Sequence, residues 1–123
     1  DITIIAHGEM VFQALKVAQK LEEEHISVRV VDMYSIKPMD EELVRKCIEE
    51  TENIIVLEDH LMEGGLASRI SDFMVDNHLY PKKFKRLGIP QIYAGFGSGE
   101  ELRDKYGYGE KDTIAAVKEL LNK

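Results

Sequence analysis

Short aliphatic runs alternate with amphipathic segments along this chain of 123 residues. The runs are rich in β-branched residues, which is typical of buried strands. The segments between them repeat apolar residues every three or four positions, which is typical of helices. This alternation predicts an α/β fold with three layers, α/β/α, around a mostly parallel central sheet. The predicted strands are Ile2 to Ala6, Val28 to Met33, Asn53 to Glu58 and about Phe84 to Leu87.

The amphipathic segments predict five helices. Met10 to Glu24 carries a continuous apolar stripe, so it should cross the sheet as a right-handed connection. Asp40 can cap the second helix, which should end near Glu50. The others are predicted around Leu66 to Met74, at Glu101 to Lys105 with Gly107 as its stop, and near the chain end with Asp112 or Thr113 at its start.

Composition and charge narrow the class of protein. A hydrophobic fraction of 44% suffices for one core, so residues 1–123 are predicted to form a single domain. A net charge of −7 provides no long-range attraction for nucleic acid or an anionic membrane. Cys47 is the only cysteine, which excludes an intrachain disulfide and is typical of a cytoplasmic protein. Its thiol is expected to act as a small buried hydrophobic group. Because a core strand begins directly after Asp1, the sequence is expected to be a piece of a longer polypeptide.

Two isolated signals have weak functional interpretations. The basic run Lys82 to Arg86 could steer a phosphorylated ligand, but its alternation around Phe84 and Leu87 favours a strand with charge on one face. Asp32 ends a strand, as the phosphorylated Asp does in receiver-like signalling modules. Such modules need further acidic groups around Mg²⁺, and the first strand ends in His7-Gly8 instead, so this interpretation is disfavoured.

The turn after the third strand is the strongest candidate for a site. Glu58 and His60 can exchange protons, and Gly64-Gly65 would let backbone N–H groups approach an anion or another chain closely. The alternative is a polar loop with a flexible helix start. A Gly-Gly pair without a following Lys-Ser/Thr is weak evidence for phosphate binding.

A second glycine-rich stretch extends from Pro90 to Gly109 and includes four aromatic residues. It lacks the strand-loop-helix order of a phosphate loop, and Glu100-Glu101 would repel an anion. A structured loop with one short helix is therefore predicted here.

The candidate turn also resembles a known family. Glu58-Asp-His-x-x-x-Gly-Gly-Leu-x-Ser68 is similar to the same strand-to-helix turn in the C-terminal domain of transketolase-like thiamine diphosphate enzymes. Further segments resemble that domain in the same order and extend the resemblance to nearly the whole chain. They are Asp1 to Glu9, Ile26 to Asp40, Leu87 to Pro90, Phe96-Gly97 and Glu101 to Gly107. The resemblance implies the three-layer fold of that domain.

Two features depart from the family pattern. The opening turn reads His7-Gly8-Glu9 where the family usually has Thr-Gly-Ser-Glu, which puts any hydroxyl-dependent contact there in doubt. The family domain also tends to begin with a further antiparallel edge strand, and this sequence starts too late to contain one.

The resemblance implies an assembly role in a larger enzyme. Transketolases of the pentose phosphate pathway move two-carbon ketol units between sugar phosphates, using thiamine diphosphate and a divalent metal such as Mg that the other two domains mainly hold. By this resemblance the chain alone should be inactive and bind no cofactor or metal. Its partners should be the other domains or subunit of a homodimeric transferase. Glu58, His60, Gly64 and Gly65 carry over as motif positions with an interface or loop-shaping role, and no catalytic residue is implied.

Several alternatives stay open. The β subunits of 2-oxo acid dehydrogenases and the deoxyxylulose phosphate synthases have the same C-terminal domain fold. The Glu-Asp-His motif and the tail that begins at Phe96 look more like transketolase, especially the small subunit of a split form. An alternative of another class is a non-catalytic protein-binding module.

Overall fold

The computed structural model describes residues 1–35, 38–90 and 99–123. Within these ranges it has one sheet of four parallel strands, in the order β2-β1-β3-β4, and five helices. The strands are β1 (Ile2–Ala6), β2 (Val28–Asp32), β3 (Asn53–Leu61) and β4 (Lys83–Ile89). The helices are α1 (Met10–Glu22), α2 (Glu41–Thr51), α3 (Leu66–Asp76), α4 (Gly99–Tyr106) and α5 (Glu110–Leu121).

β1 lies inside the sheet, and all five of its residues are buried. Ile4 aligns with Val30 of β2 on one side and with Ile55 of β3 on the other. Such continuous apolar runs are expected where both faces of a parallel strand are covered. One apolar cluster fills the face under α1 and α5, and a second fills the face under α2 and α3. The predicted three-layer α/β/α fold is therefore confirmed.

β3 is longer than its sequence pattern predicted. The apolar run ends before Glu58, but the strand continues to Leu61, which aligns with Ile89 of β4 after a shift in register. The N–H of Met62 then donates to the carbonyl of Ile89 at 2.8 Å. Backbone pairing with β4 thus keeps a run of polar residues extended, although their types are not ones that favour strands.

The helix ends differ from the predicted ends by a few residues. α1 stops at Glu22, and His25 has a φ of 62°, which turns the chain into β2. α5 begins at Glu110, earlier than expected, because Asp112 lies inside its first turn and accepts from the N–H of Gly109 at 3.1 Å. The predicted cap of α2 is confirmed, since Asp40 accepts from the N–H of Leu43 at 3.1 Å.

Cys47 is buried, as its helical position predicted. Its sulfur lies 3.8 Å from Arg29 Nη1, at the edge of the cluster under α2. Within the described ranges, no helix combines the length and the apolar composition that crossing a bilayer requires.

The basic run lies in and just before β4, where the expectation of charge on one face is wrong. Lys83 donates to the carbonyl of Leu120 on the α5 side, and Lys85 pairs with Glu119 on the same side. Arg86 points to the opposite face and donates to Ser71 Oγ of α3 at 3.1 Å. Successive residues of a strand point to opposite faces, so a continuous basic run places charge on both. These side chains hold helices to an edge strand.

Candidate functional site

The candidate turn begins at the carboxyl end of β3 and ends at the first residue of α3. Its two acidic residues follow the two-residue period of the strand. Glu58 points to the face covered by α3, and Asp59 points to the face covered by α5. One strand end therefore supplies a carboxylate to each helical layer.

Glu58 caps α3 from outside the helix. The side chain is buried, with 4% of the residue exposed. Its Oε1 accepts from the N–H of Leu66 at 2.9 Å, and its Oε2 accepts from the N–H of Ala67 at 3.0 Å. The N-cap position itself is Gly65, which has no side chain to supply these bonds. The Glu58 carboxylate thus satisfies two orphan donors and places negative charge at the positive end of the helix.

Two glycines allow close packing around Glu58, Gly65 on its carboxylate and Gly88 on the backbone of the strand end. A Cβ at Gly65 would overlap Glu58 Oε1 and lie 2.9 Å from His60 Nδ1. A Cβ at Gly88 of β4 would lie 2.8 Å from the carbonyl oxygen of His60 and 3.2 Å from that of Glu58. Gly64 differs, because its φ of 80° requires a left-handed conformation while the space beside it is open. Lack of space therefore favours glycine at positions 65 and 88, and the left-handed backbone favours it at position 64.

Asp59 binds the corner between α4 and α5. Its Oδ1 accepts from the hydroxyl of Tyr108 at 2.7 Å, and its Oδ2 lies 3.5 Å from Arg103 Nη1. The Tyr108 ring is almost fully buried in the cluster under α1 and α5. The sequence analysis did not predict that Asp59 binds Tyr108 or that Tyr108 is a core residue, because Tyr108 lies among glycines and other aromatics that favour a loop. The acidic pair itself could have indicated a second role, since adjacent residues of a strand face opposite helical layers and Asp59 had to have surroundings different from those of Glu58.

The environment of Tyr108 makes its hydroxyl a poor acid. Burial raises its pKa above the ordinary value of 10.0, and the hydrogen bond to the Asp59 carboxylate raises the pKa further. As pH rises, the unfolded chain therefore loses this proton before the folded chain does. The contribution of Tyr108 to stability should be complete below pH 10 and should decline as pH rises above it.

We expect a phenolate absorbance titration to show Tyr108 as a late phase. The Tyr108→Phe variant should lose that phase, because the late ionisation belongs to the buried hydroxyl that Asp59 binds. A difference between the two titrations centred on the ordinary tyrosine pKa would contradict this account of the Tyr108–Asp59 contact.

The remaining candidate, His60, is exposed at the outer side of the turn, with its ring beside Gly65. Gly64 is exposed as well, and its N–H donates to Ser68 Oγ at 2.8 Å. The structure thus brings Glu58, His60 and Gly65 together. Gly64 lies beside them in the turn, with open space on its side-chain position.

The His7-Gly8-Glu9 turn is bonded to the residue that follows β2. His7 Nδ1 lies 2.8 Å from the carbonyl oxygen of Met33, so the ring donates from Nδ1. Gly8 adopts a φ of 62°, which directs the chain into α1. At the turn where the family usually has a hydroxyl residue, this chain therefore has a hydrogen bond from the His7 ring to the carbonyl of Met33, just after β2.

The chemical capacity of the turn follows from these contacts. The first N–H groups of α3 are already bound to a carboxylate, so this helix start offers no open place for a phosphate. Among the described residues, no group of three or more His, Cys, Asp or Glu side chains is placed to hold a metal ion. Tyr93, Gly95, Phe96 and Gly97 of the second glycine-rich stretch lie outside the described residues, and its end carries the short helix α4.

Comparison with known proteins gives a consistent result. The family model described as "Transketolase, C-terminal domain" matches residues 1–112. A "Putative transketolase C-terminal section" of Methanocaldococcus jannaschii is 35% identical over all 123 residues, which are 38% of that protein. One of the subunits of an apulose-4-phosphate transketolase from Phocaeicola vulgatus is 37% identical over the same 123 residues, again 38% of that protein. A "1-deoxy-D-xylulose-5-phosphate synthase" of Syntrophus aciditrophicus is 34% identical over 99% of this chain and 19% of its own length.

Solved structures agree with the sequence relatives. A structure described as "Split gene transketolase, inactive beta4 tetramer" superposes with a TM-score of 0.88 and 36% identity, over 99% of this chain and 39% of that one. The transketolase of Campylobacter jejuni superposes with a TM-score of 0.61 and 19% identity over 99% of this chain and 17% of that one, which supports the fold alone. The sequence thus spans well under half the length of the proteins it matches.

Proposed function

The chain belongs to the transketolase C-terminal domain family, and from this premise we propose that it is the C-terminal assembly domain of a split transketolase-like transferase. The complete enzyme transfers two-carbon ketol units between sugar phosphates. This chain contributes structure to it and has no activity alone.

One observation supports the assembly role above all others. Both carboxylates of the motif are engaged inside the domain, Glu58 with the N–H groups that start α3 and Asp59 with Tyr108. A general acid or base must reach a substrate proton, and Glu58 is buried against α3 with both oxygens occupied. The motif therefore shapes the turn, and His60 and Gly64 form its exposed outer surface.

Thiamine diphosphate and Mg belong to the complete enzyme, and this domain binds neither. The start of α3 supports this part of the proposal, since a diphosphate bound there would have to displace the Glu58 carboxylate. The described residues also lack a cluster of three metal-ligating side chains. No catalytic step is assigned to this chain.

The domain is further proposed to work inside a larger assembly. Its partners are the other domains or the companion subunit of the parent, and the complete enzyme is a cytoplasmic homodimer of the pentose phosphate pathway. The names of the relatives support a divided parent, because one is called a "C-terminal section" and another is named as one of several subunits. Residues 1–123 act as one domain and are a piece of a longer polypeptide.

A second candidate function is the same structural role in a 1-deoxy-D-xylulose-5-phosphate synthase. Relatives with that name match this chain over almost its full length at 31% to 36% identity, close to the values for the transketolase relatives. The two candidates share the domain and differ in the reaction of the parent. An assay of ketol transfer against synthase activity separates them.

A reconstitution assay tests the proposal. The chain should show no ketol transfer with thiamine diphosphate and Mg²⁺, and activity should appear when it is mixed with the polypeptide encoded immediately upstream. Ketol transfer by the chain alone would contradict the assembly role, and synthase activity in the mixture would favour the second candidate.

The His60→Ala variant refines that assay. The exposed imidazole lies on the outer surface of the turn, so its loss should raise the amount of companion polypeptide needed for half-maximal activity by about tenfold, the size of one interface contact. Turnover at saturating companion should stay within about twofold of wild type. A Glu23→Ala variant, altered at an exposed carboxylate just beyond α1, serves as the control and should change neither value. A large fall in turnover with normal assembly would mean that His60 takes part in the chemistry.

A further inference from the structure

The acidic pair Glu58-Asp59 connects two helical layers that lie on opposite faces of the sheet. Glu58 holds the start of α3 on one face, and Asp59 holds Tyr108 and Arg103 on the other. The two residues share a peptide bond, so a movement of one side-chain anchor can reach the other through a single planar backbone unit. We propose that this pair, here called the acidic clamp, couples the first turn of α3 to the corner between α4 and α5.

The backbone of the clamp has little room to absorb such a movement. Gly88 of β4 packs so closely on the carbonyl oxygens of Glu58 and His60 that a Cβ would not fit. On the other side, Gly65 packs against the Glu58 carboxylate itself. Arg86, also in β4, donates to the carbonyl of Met62 at 3.4 Å and so restrains the next part of the turn. Closely packed interiors transmit displacements instead of dissipating them.

The element with two states is the first turn of α3. In the closed state the N–H groups of Leu66 and Ala67 are bonded to Glu58. In the proposed open state these bonds are broken and water reaches the two N–H groups. Leu66 and Ala67 are both buried, so this open state is a minor one, and amide hydrogen exchange measures its population. If Asp59 keeps the strand end in place through Tyr108, then loss of that anchor raises the open population of α3. Linkage requires the reverse effect as well.

The coupling belongs to the chain alone and does not depend on the proposed function. Its consequence is that a contact made at the α4–α5 corner changes the order of the exposed turn around His60, and a contact at the turn changes the corner. Failure of the reconstitution assay would leave this inference unaffected.

Amide exchange on the whole chain, followed by NMR, tests the clamp. In Tyr108→Phe the amides of Leu66 and Ala67 should exchange roughly fivefold faster relative to Ile55, the lower end of typical coupling strengths. Ile55 lies in the buried part of β3 and reports global unfolding. An unchanged ratio would overturn the proposal. If Tyr108→Phe fails to fold, Asp59→Ala, which removes the same anchor from the side of β3, should raise the ratio by a similar factor.

Two further variants make the result specific. Lys118→Ala removes an ion pair between α5 and Glu24 but leaves β3 untouched, so the same exchange ratio should stay at its wild-type value. In the reverse direction, Glu58→Gln should speed exchange of the Tyr108 N–H, which donates to the carbonyl of Arg103 at 3.0 Å. An equal effect of Lys118→Ala, or no effect of Glu58→Gln on Tyr108, would show that the two faces respond independently.

Discussion

Replacing Glu58 by Ala should lower the free energy of unfolding by about 2–4 kcal/mol. The substitution removes both acceptors from the N–H groups of Leu66 and Ala67 and leaves these donors in a buried place. Loss of an ordinary cap costs about 1 kcal/mol, but an ordinary cap is exposed and water can replace it. Here the carboxylate is buried, so the cost of the unpaired donors adds to the loss of the cap.

Denaturant unfolding measures this cost, and two variants of the same turn calibrate it. Glu58→Gln keeps the length of the side chain and one good acceptor, so its cost should be about half that of the alanine variant. Glu63→Ala alters an exposed carboxylate five positions further along and should stay within about 0.5 kcal/mol of wild type. Equal costs for Glu58→Ala and Glu63→Ala would show that Glu58 does not hold α3.

The burial of the first strand and of Cys47 illustrates what the sequence could predict. The run Ile2 to Ala6 is apolar at nearly every position, and no amphipathic helix or half-exposed strand has such a pattern, so a buried core strand was predicted there. Cys47 lies on an apolar helix face and is buried for the same reason. These predictions rest on local periodicity, which tertiary contacts did not override.

The extension of β3 could not be predicted in the same way. His60 is exposed and polar, and it is extended because β4 continues to pair beyond the core. The pairing partner of a strand is set by residues far away in the sequence. Local pattern therefore marked the end of the apolar core, whereas the sheet continues beyond it to Leu61.

The contacts that shape the candidate site are also non-local. Glu58 reaches residues eight and nine positions ahead, which the sequence presents only as an acidic residue before a Gly-Gly pair. Asp59 and Tyr108 are 49 positions apart, and no periodicity connects them. The motif identified where the site lies, but the division of work between its two carboxylates required the geometry.

This division also explains why acidic residues at a strand end need not mark a catalytic centre. Open α/β sheets collect functional groups at the carboxyl ends of their strands, and that rule directed attention to Glu58. The same edge is where helices begin, so it is also where unsatisfied N–H groups need acceptors. In this domain Glu58 lies at the carboxyl end of a strand, where a functional group is expected, and its carboxylate accepts from the unsatisfied N–H groups of α3 instead.

Gly65→Ala should destabilise the domain by about 2–3 kcal/mol, the cost of overpacking a filled site. The new methyl group would overlap Glu58 Oε1 and press on the His60 ring, so the carboxylate would have to leave its bonds to α3. The φ of Gly65 is −106°, outside the left-handed region, and the loss is expected from lack of space. Gly64→Ala is the matched control, because its neighbourhood is open and its cost should be about 1 kcal/mol from the left-handed backbone alone.

A double-mutant cycle then separates the clash from any other effect of Gly65→Ala. In the Glu58→Ala background the overlapping oxygen is absent, so adding Gly65→Ala should cost less than about 1 kcal/mol, roughly a third of its cost in wild type. The Gly64→Ala cost should be the same in both backgrounds, since that residue does not touch the carboxylate. If Gly65→Ala costs as much without Glu58 as with it, the glycine is required for a reason other than the cap. The expected non-additivity would instead identify the second glycine of the motif as the space that a buried carboxylate needs to hold α3.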